Sequence, residues 1–155
     1  MFGFLKSKQM NVYTPVNGNV VSIEKVKDPV FSQKMMGEGF AVKPLDGKIS
    51  APVNGIVQTV FSTLHALTIK ADNGTDILIH IGLDTVELNG EGFSSAIQAG
   101  QSVKVGDLLV NVDLSLLAEK GKDDIVIVVF PEMEGKKVIP QCGKKQLGEI
   151  AAVLK

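Results

Sequence analysis

The chain has 155 residues, 45% of them hydrophobic, with 16 glycines, 6 prolines and no tryptophan, which is material for one apolar core cut by many turns. Sixteen basic residues against 17 acidic ones leave a formal charge of −1, and this balance gives no electrostatic footprint for nucleic acid. The single cysteine excludes an intrachain disulfide and suits a reducing compartment, and no apolar run approaches the length that spans a bilayer.

The first eight residues, Met1-Phe2-Gly3-Phe4-Leu5-Lys6-Ser7-Lys8, hold neither a long apolar stretch nor a small-residue cleavage site, so they do not read as a secretory signal. The 1–13 stretch is expected to be a short flexible segment, a frayed terminus rather than an amphipathic foot on a membrane. Beyond it the turn punctuation is dense and the apolar runs are short. Strands are expected at 20–23, 55–61, 66–70, 77–83, 103–112 and 125–130, which are rich in Val and Ile and separated by Asn, Gly, Pro or Asp. Short helices are expected at 28–36, 94–99 and 114–120, the last with Asp113 as N-cap. The fold class is all-β with a few short helices, and no Gly/Ser-rich or Pro-rich linker divides 14–155, which reads as one domain. Cys142 has no activating neighbourhood in sequence and reads as structural.

An internal echo crosses the chain. Thr14-Pro15-Val16-Asn17-Gly18-Asn19-Val20 returns as Ala51-Pro52-Val53-Asn54-Gly55-Ile56-Val57. More weakly, Val105-Gly106-Asp107-Leu108-Leu109-Val110 returns as Leu147-Gly148-Glu149-Ile150-Ala151-Ala152. The pattern points to a duplicated β unit whose halves pack together, because neither half buries its apolar face alone.

The most informative stretch runs from Phe61 to Asp84 and holds both histidines of the chain. Asn73-Gly74 between two apolar runs signals a β-hairpin with a two-residue type I′ turn. That turn sets Asp72 opposite Thr75, Leu67 opposite His80, His65 opposite Gly82 and Thr63 opposite Asp84. Thr63, His65, Leu67, His80, Gly82 and Asp84 then share one face, and Leu64, Ala66, Ile77, Ile79, Ile81 and Leu83 form a core face. The two histidines become diagonal neighbours within reach of each other, although a slip of one residue would part them. Gly82 leaves room before His65 for a tetrahedral group, and Thr63 is placed to fix the tautomer of a nearby ring. Imidazole is nucleophilic and exchanges a proton near neutral pH. On this reasoning phosphoryl carriage and metal binding both stand, the latter with Asp84 or Glu38 as a further ligand.

Gly74-Thr75-Asp76-Ile77-Leu78-Ile79-His80-Ile81-Gly82-Leu83-Asp84-Thr85-Val86 resembles the active-site signature of the glucose-type enzyme IIA of the bacterial phosphoenolpyruvate-dependent sugar phosphotransferase system. Met36-Gly37-Glu38-Gly39-Phe40-Ala41, Ala51-Pro52-Val53, Glu87-Leu88-Asn89-Gly90-Glu91-Gly92-Phe93 and Val103-Lys104-Val105-Gly106-Asp107 resemble the same family. The resemblance implies an antiparallel β-sandwich or barrel of duplicated, pseudo-two-fold design. It also implies a cytoplasmic phosphocarrier whose His80 takes a phosphoryl group from the small carrier HPr on Nε2. His80 then hands the group to the cysteine of a IIB domain, which phosphorylates sugar during uptake. His65 matches the histidine that stabilises the transferred group and Thr63 the residue that hydrogen-bonds it.

Docking of two different proteins calls for an apolar ring, for which Phe40, Val42, Phe61 and Val86 are expected, with Glu38 and Asp84 meeting partner arginines. No cofactor is required, but the resemblance allows a zinc ion shared with a partner through His65 and His80, and regulated permeases or kinases as further partners. Two rival readings use other chemistry. A biotinyl or lipoyl carrier needs a lysine at an exposed hairpin tip, where this chain has Asn73-Gly74. A zinc peptidase on a related scaffold wants a second histidine at position 82, which is glycine.

Overall fold

Segments rich in Val and Ile, bounded by Gly, Pro, Asn and Asp, fold into short strands because branched side chains suit a pleated, half-buried surface. The computed structural model describes residues 9–133 and 135–155. The strands are β1 (Met10–Tyr13), β2 (Gly18–Ser22), β3 (Glu38–Pro44), β4 (Lys48–Ser50), β5 (Gly55–Val60), β6 (Ala66–Ala71) and β7 (Asp76–Ile81). They continue with β8 (Phe93–Ser94), β9 (Ser102–Val103), β10 (Leu108–Val112), β11 (Val126–Phe130), β12 (Val138–Pro140), β13 (Gly143–Lys145) and β14 (Ile150–Leu154). Helix α1 (Pro29–Ser32) follows a 3₁₀ turn at Ile23–Lys25, a second 3₁₀ turn spans Thr85–Leu88, and α2 (Leu114–Glu119) precedes β11. The pairing is antiparallel. One sheet has eight strands in the order β13-β2-β3-β11-β7-β6-β5-β9, and β1-β14-β12 and β4-β10-β8 form two smaller ones. The sheets are open, so of the sandwich and the barrel the sandwich-like packing is the one formed.

Several expected elements come out differently, each for a local reason. Part of the 1–13 segment is not loose: Met10 to Tyr13 is the edge strand β1, paired with β14, while residues 1–8 lie outside those described. The 28–36 helix is a single turn, capped by the Asp28 carboxylate accepting from Val30 N–H and followed by Lys34 at φ 60°. The 94–99 helix does not form. There the Ser95 hydroxyl donates to the Leu109 carbonyl at 2.6 Å and accepts from Ile97 N–H at 3.1 Å, so the side chain takes the place of helical backbone bonds. The 103–112 strand is split into β9 and β10 by a turn in which the Asp107 carboxylate accepts from Lys104 N–H. Asp113 caps α2, accepting from Leu116 N–H.

The echo in the sequence corresponds to repeated contacts. Tyr13 N–H donates to the Pro52 carbonyl and Ser50 N–H to the Pro15 carbonyl, the same bond made from each half to the other. Thr14 N–H donates to the Glu149 carbonyl as Ala51 N–H does to the Asp107 carbonyl. The Asn17 side chain accepts from Leu147 N–H at 2.7 Å, and Asn54 accepts from Val105 N–H at 2.8 Å. The motif is therefore duplicated in space with approximate two-fold symmetry.

The central strands of the large sheet are covered on both faces. All five residues of β11 are buried: Val126, Val128 and Phe130 enter the main core, while Ile127 and Val129 enter a smaller one on the other face. This second core also holds Ala41, Ala66 and Leu78, and residues of the Ile23–Lys25 turn and α1 roof it through Ile23 and Phe31. The functional site opens on this smaller-core face.

Candidate active site

The β6–β7 hairpin is one residue out of the expected register. Gly74 N–H donates to the Ala71 carbonyl and Ala71 N–H to the Thr75 carbonyl, so the loop is Asp72-Asn73-Gly74, with Gly74 at φ +90°. This is the three-residue loop whose last position is left-handed, a conformation glycine adopts without steric cost. As a result Ala66, not Leu67, lies opposite His80, and Leu67 lies opposite Ile79. Ile77, Ile79 and Ile81 enter the main core as expected, but Leu67 joins them there and Ala66 sits on the face of His80.

By the parity argument this slip should separate the histidines. Their rings nevertheless meet, centroids 5.2 Å apart and nearly perpendicular. The alternation does not extend to His65, because regular strand begins at Ala66 and the residue before His65, Leu64, is left-handed at φ +60°.

His80 is cradled between Ala66 and Ile127 on the neighbouring strands, with the Phe31 ring tilted over it at 5.0 Å. His65 is buried, with the Phe61 ring set edge-on at 5.4 Å and its Nδ1 2.5 Å from the Thr63 hydroxyl oxygen. Nδ1 of His80 is buried with no hydrogen-bond partner. The Gly82 backbone lies near enough to favour the protonated ring. With Nδ1 of His80 buried and Nδ1 of His65 against the Thr63 hydroxyl, Nε2 of each ring is the nitrogen left at the surface of the site.

Burial, reinforced by the neighbouring His65, pushes the His80 pKa down to about 4, against the upward pull of Gly82, Asp28 and Asp84. Burial also lowers the pKa of His65. Both shifts favour the neutral ring, which keeps a nucleophilic or hydrogen-bonding lone pair.

Other expected site residues divide. Asp84 is exposed, left-handed at φ 58°, and contributes to the field at His80. Val86, on the turn after it, and Phe61 are 49% and 41% exposed, as a docking surface requires. Phe40 and Val42 are fully buried in the main core, because in β3 it is Ala41 that lies on the site face, level with Ile127. Glu38 stands at the far end of β3 and pairs with Lys34 at 3.2 Å. The acidic neighbour of His80 is instead Asp28, and the apolar one is Phe31, two residues whose local signal was only that of a helix start. Gly82 does not provide open space: a Cβ there would stand 2.5 Å from Thr85 Cγ2 and 2.8 Å from the Asp123 carbonyl oxygen. Among the described residues no group of three or more His, Cys, Asp or Glu converges as a metal site, and no helix is long and apolar enough to cross a membrane.

Comparison with known proteins places the chain in a family. Residues 10–135 match the family model of the phosphoenolpyruvate-dependent sugar phosphotransferase system, EIIA 1. The glucose-specific EIIA component of Oceanobacillus iheyensis is 45% identical over 132 residues, covering 85% of this chain and 80% of its own length. The glucose-specific EIIA component of Buchnera aphidicola is 41% identical over 149 residues, covering 96% and 90%. The solved structure of glucose permease IIA from Mycoplasma capricolum superposes with a TM-score of 0.89 at 38% identity, covering 99% of both chains. With its signature histidines in contact and its duplicated sheet shared with such a relative, the chain belongs to the EIIA 1 family of the phosphoenolpyruvate-dependent sugar phosphotransferase system.

Proposed function

We propose that the chain is a phosphocarrier which accepts a phosphoryl group on Nε2 of His80 from phosphorylated HPr and passes it to the cysteine of a IIB domain, in the cytoplasm, during glucose uptake. One observation carries the reading: two imidazoles meet at 5.2 Å, with Nδ1 of one buried and Nδ1 of the other held by Thr63. The Nε2 lone pair of His80 attacks phosphorus as the bond to the donor nitrogen breaks, and the donor ring leaves as neutral imidazole. The proton on the buried Nδ1 of His80 stays in place. The Thr63 hydroxyl donating to Nδ1 of His65 sets that ring's tautomer, so that Nε2–H points at the phosphoryl oxygens and stabilises their charge. Transfer between nitrogen nucleophiles needs positioning and charge stabilisation more than covalent work from the protein.

Phe61 and Val86, both exposed, supply apolar contact for docking, and Asp28 with Asp84 supplies charge for partner arginines. Zinc, if shared with a partner, would take Nε2 of His65 and His80, the remaining ligands coming from that partner; it would supply cross-linking charge at the interface.

Incubation with enzyme I, HPr and labelled phosphoenolpyruvate tests the reading. The protein should take up acid-labile label and His80→Gln none, while His65→Gln should be labelled but deliver poorly to a IIB domain. Normal labelling of His80→Gln refutes the assignment.

A further inference from the structure

We propose that Leu64 is a positioning residue of this site: its left-handed backbone turns His65 out of the sheet's alternation and onto His80. The kinetic consequence rests on the phosphocarrier reading; the geometry rests on the turn alone.

Two hairpin turns share β6, and they differ by one residue. In the β6–β7 turn the left-handed Gly74 is followed directly by Thr75, whose carbonyl accepts from Ala71 N–H. In the β5–β6 turn Leu64 holds the place of Gly74: its N–H donates to the Phe61 carbonyl at 2.8 Å and its φ is +60°. Phe61 N–H, however, donates to Ala66, one residue further on. His65 is the inserted residue. Its carbonyl is claimed on the opposite side by Ile81 N–H at 2.7 Å, so it is anchored to β7 while unpaired with β5.

An extra residue of this kind bends the strand and re-aims its side chain. Strict alternation across from Ile81 would send the imidazole into the main core beside Leu67. Leu64 packs against that core instead, and His65 is left for the face of His80, with Thr63 in reach of its Nδ1. A bulky side chain is rarely left-handed, and such a conformation persists only where the surrounding packing over-determines it. Glycine or asparagine would tolerate the same backbone, but a β-branched residue would not.

The experiment uses the full chain with Leu64→Ile, close in volume but β-branched, and Leu64→Asn, which tolerates a left-handed φ. The first readout is the nuclear Overhauser contact between the two imidazoles in unphosphorylated protein. The second is single-turnover kinetics from phospho-HPr to the chain and from the chain to a glucose-type IIB domain. Leu64→Ile should lose the ring contact and keep phosphoryl acceptance. It should deliver the group about 10- to 100-fold more slowly at unchanged KM for the acceptor, the scale of a misplacement near 1 Å. Leu64→Asn should keep both the contact and delivery. If Leu64→Ile fails to fold, the smaller β-branched Leu64→Thr replaces it with the same expectations. The proposal is overturned by a ring contact retained in the β-branched variant, by its loss in Leu64→Asn, or by a lost contact with undiminished delivery. Failure of the unmodified chain to accept phosphoryl sinks the phosphocarrier reading instead, and the ring contacts still decide the role of Leu64.

Discussion

A buried imidazole answers to pH in the opposite direction from one held in an ion pair. Burial keeps the His80 pKa at about 4, below its ordinary 6.5, so between those values the unfolded chain binds more protons than the folded one. Stability is therefore fully present above pH 6.5 and is lost as the pH falls toward 4. Urea unfolding should show a lower midpoint at pH 5 than at pH 7, and His80→Gln should flatten that difference. A second residue-scale expectation concerns Gly82, whose φ of +76° and close approach to Thr85 and the Asp123 carbonyl leave no place for a methyl group. Gly82→Ala should cost about 1–3 kcal/mol, measured by chemical denaturation. The pairing of His65 with His80 was legible because the chain has only these two histidines, in strands joined by a strong turn signal. The route to it was not legible. A two-residue loop and strict alternation reach the same pair through a register the molecule does not use, and nothing in Ser62-Thr63-Leu64 announces a left-handed leucine.

At the scale of elements, α1 shows how four residues shape the site. Asp28 both caps the helix through Val30 N–H at 2.9 Å and acts on His80, and the helix lays Phe31 on the ring. The two roles separate by mutation. Asp28→Asn keeps a good cap and removes the charge, so His80 should titrate lower in an NMR pH series with the melting temperature little changed. Asp28→Ala removes both and should cost about 1 kcal/mol of stability as well. The apolar runs of β5, β6, β7 and β11 were readable from composition. The face presented by β3 was not, since Phe40 and Val42 form a plausible docking surface until the strand is seen between two neighbours with Ala41 turned to the site. The helix expected at 94–99 was lost to hydrogen bonds of one serine, a competition decided by where β10 passes.

For the whole molecule the duplication was the most legible feature, because Pro-Val-Asn-Gly recurs at structurally equivalent turns. Its halves bond to one another reciprocally, and the two asparagines make matching contacts from separate sites. Asn17→Ala and Asn54→Ala should each lower stability by about 0.5–1.5 kcal/mol, and the double variant should show their sum within about 0.5 kcal/mol in denaturation experiments.

The pairing of β1 with β14 sets Met10 beside Leu154, and Asn73 at the tip of the β6–β7 hairpin reaches the Met10 sulfur at 3.2 Å. Both ends of the described chain therefore emerge together at that tip, the length of the hairpin away from His65 and His80. A neighbouring domain tethered to either end would hang from the same handle and leave the histidine face clear for its visitors. For the same reason a permuted chain, with Met10 and Leu154 joined by a short linker and new ends opened at the exposed Gly121 turn, should keep the two imidazoles in contact.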